Sequence, residues 1–211
     1  MIRIGLLSEG SIDEVLLPSL LDQLIKTIPI SGGRRTALFH FPYPSHGYGE
    51  IPKNLKLLTK LYQIPSEWER IGCHLIVIIH DSRGTERIQR EIREILRKTR
   101  GFPSVYGLAI QEIEAWILGD IGNVNRHVFH LKPCPVLPYK PERDSNPKMT
   151  LENLFVKPSP TLEYDRWNKE CAHLVAPHLR AAQVQQNCPQ GFGAFAKAFR
   201  KIRFEQKRVR V

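Results

Sequence analysis

A chain of 211 residues, 42% of them apolar, carries enough hydrophobic surface for a packed core, which excludes wholesale disorder. Formal net charge is +10 and the pI about 9.6, a balance that favours polyanionic partners because Lys and Arg release condensed counterions from phosphates. No apolar stretch approaches the ~20 residues a bilayer needs, no signal peptide precedes the first apolar run, and the four cysteines (Cys73, Cys134, Cys171, Cys188) form no CxxC pair; a reducing cytoplasm, free thiols and no membrane are expected.

Ile2–Leu7 reads as a short buried strand ended by Ser8, Glu9 and Gly10. Ser11 to Glu14 fits a capping box, and Val15, Leu16, Leu20, Leu21, Leu24, Ile25 and Ile28 continue at helical spacing. Pro18 inside that pattern predicts either a kink or a separate first turn. Thr36–Phe41 is a second strand, followed by a loop rich in Pro, Gly and His through Pro52. Leu55, Leu58 and Leu61 then place a helix over Asn54–Tyr62.

Leu75–Ile79 is apolar without alternation, the pattern of a parallel strand covered on both faces. It ends at His80-Asp81-Ser82-Arg83-Gly84. The stripe Ile88, Ile92, Ile95 and Leu96 predicts a helix over Thr85–Arg100, with Glu86/Arg90, Arg87/Glu91 and Arg90/Glu94 as ion pairs on its wet side. Ser104–Ile110 is the last strand, and Ile113, Trp116 and Ile117 predict a helix over Gln111–Leu118. Strand–helix alternation of this kind implies a parallel sheet with right-handed crossovers, an α/β core over residues 1–120.

After residue 120 the composition shifts. Prolines 133, 135, 138, 141, 147, 158 and 160 crowd a loop-rich stretch around one short helix, Pro147–Phe155. Trp167–Ala182 and Phe192–Phe204 read helical, so residues 121–211 form a C-terminal helical extension with a basic tail. From Lys201 to Val211 that tail sets Lys201, Arg203, Lys207, Arg208 and Arg210 against Glu205 alone. A solvated end that aids solubility and a nucleic-acid contact both account for it.

In open parallel sheets, ligands bind beyond the carboxyl ends of the strands. Three predicted strands here end in acids: Glu9 after the first, Asp81 after the central one, Glu112 and Glu114 after the last. Asp13 lies one helical turn beyond Glu9 and can point the same way. Carboxylates are the hard oxygen ligands that Mg²⁺ takes, and a divalent cation removes the repulsion of gathering them. Each acid alone has a plain structural account. Asp13 and Glu14 suit a first helical turn, Asp81 can shape a turn, and Glu112 and Glu114 can start a helix. Their joint placement at strand ends is what points to a shared magnesium-dependent site acting on phosphates.

A strand followed by Glu9-Gly10 and a helix, then a strand followed by Asp81-Ser82-Arg83-Gly84, resembles the Toprim domain of topoisomerases, primases and OLD-type nucleases. That domain carries a Glu-Gly motif on one strand and an Asp-x-Asp motif on a later one. More closely, Ser8 to Glu14 and Gln111 to Leu118, with Pro147-Lys148-Met149 and Gly191 to Phe195, resemble a Toprim-like bacterial family known only as a domain of unknown function. The resemblance spans most of the chain. It implies a Toprim-like (Rossmann-like), mostly parallel sheet flanked by helices. It makes Glu9 a metal ligand or general acid/base and Asp81 a metal ligand, with Asp13, Glu112 and Glu114 completing a Mg²⁺ or Mn²⁺ shell. It further implies phosphodiester hydrolysis in DNA or RNA, anti-phage defence and a partner ATPase.

One position departs from the pattern. Arg83 stands where a second Asp is expected, and a guanidinium repels a metal instead of ligating it. It can hold a substrate phosphate bidentately. It can equally mark a different metal arrangement or a degenerate site, leaving a non-catalytic module that binds nucleic acid or a protein partner. Lys148 is a candidate stabiliser of transition-state charge, a solvent-facing lysine being the alternative. A small-molecule phosphotransferase would use the same acids. Cys171, His173, His178 and Cys188 match no familiar zinc spacing, and His40, His46 and His80 are scattered, His80 adjoining Asp81 either as a proton shuttle or as a structural residue. No P-loop and no Gly-x-Ser-x-Gly elbow is present.

Overall fold

The structure, a computed structural model, describes residues 1–28, 36–43, 47, 49–156 and 166–202. His46, Pro158, Pro160 and most of the basic tail (Arg203, Lys207, Arg208 and Arg210, with Glu205) lie outside the described residues.

Strand β1 (Ile2–Leu7) leads into α1 (Ser11–Ile25) and β2 (Ala37–His40). Helices α2 (Glu50–Tyr62) and α3 (Pro65–Ile71) precede β3 (Leu75–Asp81), followed by α4 (Glu86–Lys98) and β4 (Ser104–Ala109). The four strands form an all-parallel sheet in the order β2-β1-β3-β4. This is an α/β fold of Rossmann-like character, as the strand–helix alternation predicts. Because β2 and β3 flank β1 on opposite sides, the chain reverses its direction across the sheet between the first and second crossovers. The general rule for such sheets puts the ligand crevice at that switch point, at the carboxyl ends of β1 and β3.

Alternate residues of the central strands face different cores, the period-two consequence of the pleat. Ile4, Leu6, Val77 and Ile79 join one core with Leu16, Leu20 and Leu24 of α1. Leu7, Ile76 and Ile78 join the other with Leu55 of α2 and Ile88 and Ile92 of α4. Burial of β3 on both faces explains its unbroken apolar run.

Past the sheet come α5 (Glu114–Leu118), α6 (Ile121–Val124), α7 (Pro147–Leu151), α8 (Lys169–Val175), α9 (Ala181–Asn187) and α10 (Ala194–Phe199). Residues after 120 share the α1-side core: Phe155, Trp167, Phe192, Phe195 and Phe199 are buried in the same cluster as Ile4 and Val77. The extension therefore covers one face of the sheet. Two glycines let it approach closely. A Cβ at Gly191 would stand 2.8 Å from the Leu108 carbonyl oxygen, and one at Gly107 would stand 2.7 Å from Phe195.

Several boundaries differ from the sequence pattern for physical reasons. α1 runs unbroken through Pro18, held by the burial of Leu16, Leu17, Leu20 and Leu21 on both sides of it. α2 begins at Glu50, with Pro52 in its first turn, where a missing N–H costs nothing. α3 has a proline at its start and Gly72 in the left-handed conformation at its end, an explicit start-and-stop signal without an apolar stripe between. On α4, Glu91 pairs with Lys56 of α2 and Glu94 with Lys98. The expected Glu86/Arg90, Arg87/Glu91 and Arg90/Glu94 pairs do not close among the described residues.

Candidate metal centre

Five acids gather at the carboxyl edge of the sheet, each delivered by a different piece of backbone chemistry. Glu9 sits on the turn that leaves β1, half-buried, and its Oε2 accepts from the Asp81 N–H at 3.3 Å. That bond ties the end of β1 to the end of β3 across the crevice. Asp13, at the third position of α1, folds back so that Oδ2 accepts from the Glu9 and Gly10 N–H groups at 2.9 and 3.1 Å. It satisfies donors that a helix start leaves open. Asp81 is the last residue of β3, and its Oδ1 accepts from Ile113 N–H at 2.8 Å.

The connection from β4 to α5 departs from the expected helix over Gln111–Leu118. Gln111 has φ of +64°, a left-handed conformation uncommon for a non-glycine residue, and α5 starts only at Glu114. Ser82 holds this turn by accepting the Gln111 N–H on Oγ at 2.8 Å and donating its own N–H to Ala109 O at 2.8 Å. A hydroxyl directly after a strand is a turn-forming signal in the sequence. The twist at Gln111 separates the two glutamates. Glu114 faces inward from the first turn of α5, buried, whereas Glu112 turns toward the start of α7, where Lys148 N–H donates to its Oε2 at 3.2 Å.

Arg83 forms an ion pair with Oε1 of Glu112 and donates through Nη1 to Ser145 O at 3.1 Å. Both oxygens of Glu112 are thus engaged, unlike those of a ligand waiting for a cation. Lys148 is exposed, and its ammonium opposes the rise in the Glu114 pKa, as the Glu114 backbone N–H does more strongly. His80 is wholly buried, with Nδ1 donating to Asp81 O at 2.7 Å and Nε2 accepting from Tyr106 OH at 2.9 Å. Burial pushes its pKa down, so it stays a neutral strut under Asp81.

The electrostatics show how closely the acids approach. Burial pushes Asp81 up to about 9, helped by the charges of Asp13, Glu114 and Glu9 and opposed by the Ile113 N–H. Burial raises Asp13 to about 7, against its two backbone donors and with added repulsion from Glu9 and Glu14. Glu114 likewise rises to about 7 through burial, with Asp13 and Glu112 adding to it. Glu9 is raised too, by burial first and by Glu112, while the Asp81 N–H pulls the other way. Asp13, Asp81, Glu9 and Glu114 thus lie within one another's field, while both oxygens of Glu112 are turned onto Lys148 N–H and Arg83. As the side chains stand, no three His, Cys, Asp or Glu residues among the described ones hold their donor atoms in ligating positions. One oxygen each of Glu9, Asp13 and Asp81 is turned onto a backbone N–H. The donor set nevertheless suits a hard divalent cation: carboxylates only, with the repulsion that such an ion relieves.

Other candidate groupings do not assemble. Cys188 is in the core with Sγ toward Ala115 O at 3.3 Å, Cys171 is buried, His173 is exposed, and His178 stacks on His127 with ring centroids 5.0 Å apart. A zinc site from these four has no common centre. His40 approaches Cys73 Sγ at 2.8 Å, and burial raises that thiol to about 11. A cleft of about 570 Å³ between α1 and α8 is lined by Glu14, Phe41, Lys169 and His173, and none of the five acids borders it. No helix among the described residues is long and apolar enough to cross a membrane. No family model, curated protein or solved structure matches the chain.

Proposed function

We propose that the chain is a divalent-metal-dependent nuclease of Toprim-like type, hydrolysing phosphodiester bonds of DNA or RNA. The supporting observation is the convergence of Glu9, Asp13, Asp81 and Glu114 from three strand ends onto the crevice between β1 and β3. Asp81, Asp13 and Glu114 would hold Mg²⁺ or Mn²⁺, which supplies Lewis acidity toward a phosphoryl oxygen. Glu9 keeps Oε2 on the Asp81 N–H, so Oε1 is the atom placed to take a proton from attacking water and return one to the leaving oxygen. Its raised pKa suits that exchange. Lys148, beside Glu114, supplies positive charge where the pentavalent phosphorus gathers negative charge. Anti-phage defence and a partner ATPase belong to the same proposal through the resemblance alone.

In a nicking assay on plasmid and on labelled RNA, cleavage should require Mg²⁺ or Mn²⁺ and disappear with EDTA. Glu9→Gln should lower the rate by about 100-fold or more, the scale of losing a positioned acid/base, with the thermal unfolding curve unchanged. Equal cleavage by wild type and Glu9→Gln would reject the assignment.

One observation favours a second reading. The Arg83–Glu112 ion pair occupies the place where a further acid of the Toprim pattern is expected, as a degenerate site would. The chain would then be a binding module, retaining nucleic acid in EDTA and turning none over.

A further inference from the structure

Helix α4 leaves the acid crevice directly after Gly84 and runs down the side of the sheet, with Ile88, Ile92 and Ile95 buried beneath it. Its outer side carries Arg90, Arg93 and Arg97, all exposed. Their spacing of three and four residues stacks them on one face, a turn apart. None of them closes an ion pair among the described residues. Of the acids on this helix, Glu91 is held by Lys56 at 2.7 Å and Glu94 by Lys98 at 2.6 Å, while Glu86 stays exposed at the helix start. Arg87 and Arg100, exposed at the two ends, extend the row. Guanidinium groups bind phosphate more selectively than ammonium groups do, so an open row of them suits a polyanion.

We infer that α4 is a phosphate ladder, on which Arg90, Arg93 and Arg97 grip the backbone of a nucleic acid leading to or from the acid crevice. From Arg90 to Arg97 the helix rises about 10 Å at ~1.5 Å per residue. Each strand of a duplex presents one phosphate per ~3.4 Å of axis, so the row spans about three phosphate steps. The inference rests on the nucleic-acid reading above and names the surface that it uses. It requires no contact with base edges, so it adds affinity without sequence preference.

The test is binding in EDTA, where hydrolysis is stopped. Fluorescence anisotropy would follow labelled single-stranded DNA, duplex DNA and RNA against the full chain at 50 to 300 mM KCl. The triple variant Arg90→Gln, Arg93→Gln, Arg97→Gln keeps helix-favouring side chains, and circular dichroism checks its fold. Expected is a 10- to 100-fold weaker affinity at low salt and a salt slope smaller by about two to three, close to 0.7–0.9 per phosphate released. A control pair on α2, Lys53→Gln and Lys60→Gln, should change neither quantity appreciably. Unchanged affinity and slope in the triple variant would overturn the ladder, as would a wild type that binds no nucleic acid or that prefers anionic lipid vesicles. A wild type that binds through the ladder but cleaves nothing with Mg²⁺ or Mn²⁺ would keep the ladder and reject the nuclease. Full cleavage of long and short substrates by the triple variant, with unaltered binding, would do the reverse.

Discussion

Buried acids occur in two regions of this molecule, and they are treated in opposite ways. Under the C-terminal cover, Glu142 accepts the Gln190 and Gly191 N–H groups at 3.0 and 2.5 Å. Asp144 accepts Tyr139 OH and Asn146 N–H, and Asp120 accepts Arg180 N–H at 2.8 Å. There, carboxylates fasten loops to one another, each surrounded by its own donors. At the carboxyl edge of the sheet, Asp13 and Glu114 are as deeply buried and Asp81 is half-buried, but the three lie within one another's field. Burial alone therefore does not mark a site. Mutual repulsion that the nearby protein cations do not offset does, because such an arrangement is stabilised by protons or by a cation from solution.

The same isosteric change should have opposite consequences in the two regions. Asp81→Asn keeps an oxygen for the Ile113 N–H and removes a carboxyl whose ionised form its neighbours oppose. It should leave the melting temperature equal or higher while nuclease activity falls by about 100-fold or more. Glu142→Gln turns an amide N–H₂ against a backbone donor and should destabilise by about 2–3 kcal/mol, seen as a lower urea midpoint at constant slope. A destabilised Asp81→Asn variant would make that acid a fastener like Glu142 and erase the contrast.

A middle-sized effect separates the regions by pH. Asp81 titrates at about 9 in the folded chain, Asp13 and Glu114 at about 7, all above the unfolded carboxyl range near 4. Between these values the folded chain binds more protons than the unfolded one. The stabilisation is complete below pH ~4 and is lost as pH rises through 7 toward 9. Each titrating group contributes at most about 1.4 kcal/mol per pH unit. In EDTA, thermal unfolding should thus show stability falling from pH 6 to 9, and millimolar Mn²⁺ should flatten the fall, since cation binding needs the ionised form. Asp81→Asn should flatten it without metal. A level profile in EDTA would mean that the acids do not press on one another.

Which parts of this were legible in the sequence follows from how far each signal reaches. The strands and α4 are written in runs of apolar residues, local patterns that tertiary structure only confirmed, and the acid positions at strand ends follow from them. The order β2-β1-β3-β4, and hence the position of the crevice, is a long-range property with no local mark. The split of Glu112 from Glu114 was illegible because it depends on Gln111 adopting positive φ, stabilised by Ser82 from 29 residues away. The engagement of Glu112 by Arg83 and by the start of α7 likewise needed the fold. Arg83 was readable as an anomaly, though not its partner.

That ion pair gives the smallest effect and the finest distinction. Arg83 is half exposed, so its bond to Glu112 contributes at most about 1 kcal/mol, and Arg83→Gln should scarcely move the unfolding curve. What changes is the field at the crevice. If Arg83 acts as a stopper, its removal frees Oε1 of Glu112 and withdraws a repelling charge, so Mn²⁺ should bind several-fold more tightly, measured by titration calorimetry. If Arg83 instead leaves Glu112 to hold a substrate phosphate, Mn²⁺ affinity should stay within about twofold and KM for oligonucleotide should rise several-fold at nearly constant kcat. The first outcome would move Arg83 to the side of the fasteners that line the C-terminal cover. The second would place it with the acids, as the cation that the cluster lends to its substrate.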